Sequence, residues 1–223
     1  MKNLLTLFLL FIISFSNSFS QKNEKKTEEK YKIKKYNKVV DSTYKTDKGL
    51  FKVHTNKEKY LYEISPNLFG KEMLMVTRIS KTANGIGYGG QKINSQVLRW
   101  EKKYNKILLR IVSYENIAND SLPISKSVKN SNFEPILYSF EIKTYNLKDS
   151  SVVIDVTSFF TEDVKAIGFP ERRRKQLKIT SLDKKRSFIE SIKSFPINVE
   201  TRNVLTYKSG APPSLSNSQT ISL

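Results

Sequence analysis

Leu50-Phe51-Lys52-Val53-His54-Thr55-Asn56-Lys57-Glu58-Lys59-Tyr60-Leu61-Tyr62-Glu63-Ile64 is the stretch that decides the fold class. Leu50 to His54 alternates apolar with polar residues, and Tyr60 to Ile64 alternates again. A period of two sends successive side chains to opposite faces of a strand. Asn56-Lys57-Glu58-Lys59 between the two runs has turn composition, so the stretch reads as a β-hairpin. Ser65-Pro66 then places an N-cap and a first-turn proline for a short helical turn, which Gly70 can stop. Met73 to Ile79 reads as a third strand.

The same signals continue downstream. Ile93 to Glu101 and Ile107 to Tyr114 are long strand-like runs, with Lys102-Lys103-Tyr104-Asn105 as the turn between them. A loop and short helix are expected around Pro123. Pro135 to Tyr145 and Val152 to Val156 form a second hairpin around Asn146-Leu147-Lys148-Asp149. Thr157 or Ser158 can cap a helix running to Ile167 and ended by Gly168, with Phe160, Val164 and Ile167 on one face. Ile197 to Tyr207 is the last strong strand. The fold class is therefore mainly β (α+β): antiparallel sheets with a few short helices, arranged as a small N-terminal β unit and a larger β-rich domain that is incomplete at its C-terminus.

The ends divide the chain further. One positive charge, Lys2, precedes the apolar run Leu4 to Ile13, and Ser18-Phe19-Ser20 supplies a small-x-small junction. This is the layout of a secretory signal peptide, expected over residues 1–20. Residues 21–35 read as a charged linker, 36–84 as the small domain and 85–223 as the larger one. The product is expected to be exported, periplasmic or extracellular, with no transmembrane segment after cleavage. At the other end, Thr220-Ile221-Ser222-Leu223 reads as a strand that starts and stops, which suggests a truncated chain.

Composition excludes much chemistry. Among 223 residues there are no cysteines and one histidine. Disulfides, thiolate metal sites and every zinc motif that needs two histidines are ruled out. Apolar residues make up 38% of the chain, enough for a packed core. The formal net charge is +18, and loss of residues 1–20 removes only Lys2. Such a charge admits an anionic polymer as partner. Lysine outnumbers arginine 31 to 8, whereas base and phosphate readers favour arginine, and no nucleic-acid partner is expected.

Few residues carry a chemical signal. Gly85-Ile86-Gly87-Tyr88-Gly89-Gly90 satisfies G-x-G-x-x-G, but Ile93 to Trp100 reads as a strand where a dinucleotide site needs a helix. A loop between units is the better reading. His54 falls at the polar phase of its strand and reads as a surface or edge histidine. Asp155, Glu162 and Asp163 could supply carboxylates, and helix capping explains them equally well. Arg172-Arg173-Arg174-Lys175 and Lys184-Lys185-Arg186 are the densest basic region, with a net of +6 from Glu171 to Arg186. These seven residues are the candidate polyanion contacts, and a solvated loop is the plainer reading of the stretch; no catalytic or metal-ligating residue is assigned.

Several blocks together resemble a known family. Tyr60-Leu61-Tyr62-Glu63-Ile64, Leu68-Phe69-Gly70-Lys71 and Arg78-Ile79-Ser80-Lys81-Thr82 resemble the small N-terminal domain, labelled domain of unknown function 5118, of secreted bacterial zinc-dependent metallopeptidases of met-zincin type. Gly87 to Asn94, Leu109 to Tyr114, Ala118 to Pro123, Val128 to Ile136, Val153 to Thr157, Arg186 to Ile189 and Lys193 to Pro196 resemble the domain that follows it, labelled 5117. In that family an H-E-x-x-H helix on a C-terminal domain binds zinc and activates water. This chain has no such motif. The resemblance therefore implies a non-catalytic N-terminal portion, possessing no cofactor of its own, with zinc expected only in a missing catalytic domain. That domain is the implied partner, which this portion would dock to or shield. An unpaired sheet edge near Tyr207 is the expected structural signature of the truncation. The alternative is a free-standing basic module that binds an anionic polymer or surface.

Overall fold

The computed structural model describes residues 33–83 and 86–210 and the backbone of 218–222. The expected leader (1–20), most of the linker (21–35) and the Ala211-Pro212-Pro213 segment lie outside the described residues. The fold is mainly β, with antiparallel strands in two sheets, as the alternation predicts.

The opening hairpin is β2 (Lys52–Asn56) and β3 (Lys59–Ile64), with β1 (Lys45–Lys48) added on its outer side. The turn carries Lys57 at φ 51°, the left-handed conformation that a tight hairpin demands. Pro66–Leu68 forms a single 3-10 turn, and β4 (Glu72–Arg78) follows. The short β5 (Lys81–Thr82) leads to the glycine loop. The chain then makes a meander of β6 (Lys92–Lys103), β7 (Lys106–Val112), β8 (Ile136–Asn146) and β9 (Ser151–Asp155). Helix α1 (Ile124–Ser131) lies between β7 and β8. The eight-stranded sheet has the order β1-β2-β3-β9-β8-β7-β6-β4. Its joining register sets Leu61 to Ile64 against Asp155 to Val152. Strands from both sides of residue 85 thus share one sheet.

This order makes the sheet curl. Five strand spacings of about 4.8 Å separate β3 from β4, roughly 24 Å along a flat sheet. The link of residues 65–71 could span that only if fully extended, yet it contains a 3-10 turn. Curling brings β4 back toward β3 and closes the concave face around Tyr62, Trp100, Phe140, Ile142 and Ile154.

The second sheet covers that face. It contains β10 (Ile179–Leu182), β11 (Phe188–Ser194), β12 (Val199–Ser209), β13 (Ser218–Ser222) and β5. Ile189, Ile192 and Val199 pack into the main core, and the Tyr60 hydroxyl donates to the Ile189 carbonyl at 3.3 Å. Around Tyr207 a smaller core holds Ile79, Ile86, Phe169 and Leu205. The expected free edge near Tyr207 is corrected: Tyr207 pairs with Leu182 on one side and Gln219 on the other.

Two further expectations change. Helix α2 ends at Thr161 (Thr157–Thr161) rather than Ile167. The Thr157 hydroxyl accepts from Tyr60 N–H at 2.9 Å, tying the first turn to β3, and Glu162 is already extended. The basic run is a helix, α3 (Glu171–Gln176), not a loop. Gly168 is required by close approach, since a Cβ there would lie 2.5 Å from the Tyr207 hydroxyl.

Ile154 is fully buried at the centre of the curled sheet, whereas Leu147 is 93% exposed in the β8–β9 turn. Ile154→Ala is expected to cost about 2–5 kcal/mol in urea unfolding, and Leu147→Ala less than about 0.5 kcal/mol.

Candidate functional site

The two edges of the large sheet are built differently. β1 is four residues long, reads Lys-Thr-Asp-Lys, and is exposed throughout. Short, charged edges resist pairing with other chains. β4 is seven residues long and reads Glu-Met-Leu-Met-Val-Thr-Arg. It pairs with β6 on one side, and among the described residues no strand pairs with the other. Leu74 and Val76 on its convex face are 67% and 43% exposed.

Beside this edge a groove of about 1190 Å³ opens into the molecule. Tyr62, Trp100, Leu109 and Phe160 form its floor, so the groove reaches the domain's own aromatic core. Met73 and Met75 of β4 line one wall, and Val199 and Thr201 of β12 the other. β12 pairs with β11 along residues 199–204, whereas β13 pairs with it only from Val204 onward.

The convex face beside β4 is polar and ion-paired. Arg99 bonds Glu134 and lies 3.9 Å from Glu72; Arg110 bonds Glu101 and donates to the Glu134 carbonyl at 2.7 Å. The Tyr114 hydroxyl donates to Glu72, which ties the strand edge to the excursion between β7 and β8. That excursion, residues 113–135, is closed at its base by the Ile111 N–H bond to the Pro135 carbonyl at 3.0 Å. It carries Tyr114, Ile117, Leu122, Ile124 and Phe133 in exposed positions, Ile117 at 71% and Phe133 at 73%. No residue of α1 is buried.

His54 is not a surface residue. It lies on β2 between β1 and β3 and is 2% exposed. Its Nε2 lies 2.9 Å from Glu63 Oε2 and its Nδ1 lies 2.8 Å from Thr46 Oγ1. An ionised carboxylate only accepts, so Nε2 carries the hydrogen toward Glu63. Glu63 also accepts from Tyr36 Oη at 2.7 Å, Lys52 Nζ at 2.5 Å and Asn146 Nδ2 at 2.9 Å. Burial pushes the Glu63 carboxyl up, but donors from His54, Lys52, Asn146 and Tyr36 together hold it far below the usual carboxylate range. Burial lowers the Lys52 ammonium, and its bonds to Asp149 and Glu63 more than offset that. Burial, then the bond to Glu63, drives the Tyr36 phenol well above its ordinary value. The cluster ties the turn at Tyr36, strands β1 to β3 and the β8–β9 hairpin together. Sequence reading missed it because Glu63 follows the polar phase; the available signal is a lone acid in Tyr60 to Ile64, a run buried on both faces.

The expected polyanion residues are only partly free. Arg173 donates to the Ile86 carbonyl, and Arg174 clamps Asp163 and donates to the Phe169 carbonyl at 2.9 Å. Lys184 pairs with Glu162 at 2.8 Å and Arg186 with Asp183 at 2.9 Å. Arg172, Lys175 and Lys185 are exposed. The carboxylates Glu162 and Asp163 are thus occupied by cations, and Asp155 accepts from Thr157 N–H at 2.9 Å as a cap. After the glycine cluster comes strand β6, in keeping with a loop rather than a dinucleotide turn. Among the described residues no three His, Asp or Glu side chains are grouped to hold a metal, and no helix is long and apolar enough to cross a membrane.

The sequence model described as "Domain of unknown function (DUF5117)" matches residues 90–223, more than half of the chain. The chain belongs to the DUF5117 family. A second model, "Domain of unknown function (DUF5118)", matches residues 33–82. No curated protein and no solved structure matches. In this DUF5117 chain the DUF5118 segment supplies β1 to β5, and the DUF5117 segment supplies β6 to β13. β3 against β9, β4 against β6 and β5 against β13 are the seams between the two matched regions.

Glu63 makes the fold sensitive to acid. Its folded carboxyl titrates below the unfolded value, so its contribution is complete above about pH 5 and fades as the pH falls toward the folded pKa. Glu63→Gln is expected to cost about 3–5 kcal/mol in urea unfolding at about pH 7. The gap from wild type should narrow in melts at about pH 3; a gap independent of pH would contradict the assignment.

Proposed function

We propose that this DUF5117 chain is the non-catalytic N-terminal portion of an exported zinc-dependent metallopeptidase of met-zincin type, and that it docks to the catalytic domain carrying the H-E-x-x-H helix. The tandem order of the DUF5118 and DUF5117 regions supports this reading, as does the resemblance of their sequence blocks to that family. The single observation that carries the docking role is the 113–135 excursion. Five large apolar side chains stand exposed along this one segment, which supports a surface that another protein covers. Its base is held by the Arg99, Arg110 and Glu134 network, so a partner would meet a positioned surface. The chain's one histidine already spends both ring nitrogens on Thr46 and Glu63. Its chemistry is structural, and water activation would fall to the partner's zinc.

The purified chain should therefore contain no stoichiometric zinc and hydrolyse no casein. Produced beside a separate H-E-x-x-H catalytic domain, it should co-purify with it. Ile124→Asp with Phe133→Asp should abolish co-purification and leave the melting temperature within about 2 °C, since both side chains are exposed. Stoichiometric zinc with peptidase activity in the chain alone would overturn the reading.

A further inference from the structure

The contrast between β1 and β4 points to a second interface. An exposed strand edge with apolar residues at its centre invites pairing, and folds that do not use such an edge blunt it with lysine, proline or brevity. The chain does this at β1 and not at β4, where the described fold leaves a full row of backbone donors and acceptors unpaired.

The sequence of β4 also specifies its own complement. Laid antiparallel against a second copy about a twofold axis at Met75, the strand sets Glu72 against Arg78, Met73 against Thr77, Leu74 against Val76, and Met75 against itself. Glu72, Leu74, Val76 and Arg78 share the exposed convex face, so each end of the pairing is an acid against a base and the middle is apolar. A twofold interface must be self-complementary in this way. A one-step shift of register would break both charge pairs. On the concave side, the partner's methionines would close the mouth of the groove, whose floor includes Tyr62 and Trp100. The bulge at Thr77/Arg78 lies at the end of the strand and leaves its centre regular.

We propose that β4 is a homodimer edge, at which two copies of this chain pair antiparallel through Glu72–Arg78 about Met75 and join two eight-stranded sheets into one. This is independent of the docking role above, which uses the excursion. The occupant is a second copy rather than an unrelated strand because β4 supplies the matching charge order itself.

The full chain lacks cysteine, so one introduced thiol reports the register cleanly. Across an antiparallel pair, opposed Cα atoms lie about 4.5–5.5 Å apart, within disulfide range. Under mild oxidation Met75→Cys should give a covalent dimer in high yield. Ser139→Cys, exposed on the interior strand β8, should not. In sedimentation from about 1 to about 100 µM, wild type should approach twice 25.8 kDa. Glu72→Arg or Arg78→Glu alone should weaken association about tenfold, since the symmetry breaks two pairs, and the double exchange should restore it. Restoration separates a pairing effect from a folding defect. A monomer at every concentration, equal crosslinking of the two cysteine variants, or failure of the double exchange would each overturn the proposal. Capture of an apolar peptide by a strictly monomeric chain would do so as well.

Discussion

A carboxylate buried on the convex face of a strand whose other face is already in the core is the constraint on which this structure rests. β3 has no solvent side: Tyr60, Tyr62 and Ile64 point into the aromatic core, and Leu61 and Glu63 point away from it and are buried as well. A buried ionised group is tolerated only when its hydrogen bonds are complete. Glu63 obtains four donors from elements far apart in sequence, namely Tyr36, Lys52, His54 and Asn146. Satisfying Glu63 therefore fixes the N-terminal turn, the β1–β2–β3 unit and the β8–β9 hairpin in one arrangement. The β3–β9 seam, which joins the DUF5118 and DUF5117 regions, passes through that residue.

From that anchored end the sheet curls round to β4, and the molecule becomes progressively more open. Near Glu63 every polar group has a partner. At β4 a strand edge has no partner among the described residues, a groove reaches Trp100 and Tyr62, and the neighbouring excursion exposes its apolar residues. A rigid, ionically locked end and an uncovered end are what an interaction module requires. The first positions the second without loss of binding energy to disorder.

Much of the fold is legible in the sequence because strand alternation is local. The hairpin at Asn56–Lys59, the β6–β7 and β8–β9 pairs and the strand from Met73 all follow from period two and turn residues. What escapes is whatever depends on distant partners. β1 is too polar to look like a strand, yet it pairs with β2 along Lys45–Lys48. The helix from Thr157 ends at Thr161, with Glu162 already extended, and its first hydroxyl is bound to Tyr60, a contact 97 positions away. His54 looks like a surface residue because its acceptor, nine positions on, shares the polar phase that normally faces water. The basic run from Arg172 looks like a free patch, yet Arg173 and Arg174 spend their guanidinium groups on Ile86, Phe169 and Asp163. Neither the groove nor the free edge of β4 has any sequence signature, since both arise from the order of strands in the sheet.

Amide hydrogen exchange, followed strand by strand on the full chain at several concentrations, tests most directly the division into a locked end and an open end. Exchange reports local opening, and the slowest amides mark the cooperative core. The expected result is that β3 and β9 are the slowest-exchanging strands at every concentration. Glu72–Arg78 should exchange fast at dilution and slow down as the concentration rises. Protection of β4 equal to that of β9 at all dilutions, or fast exchange in β3 near Glu63, would contradict it.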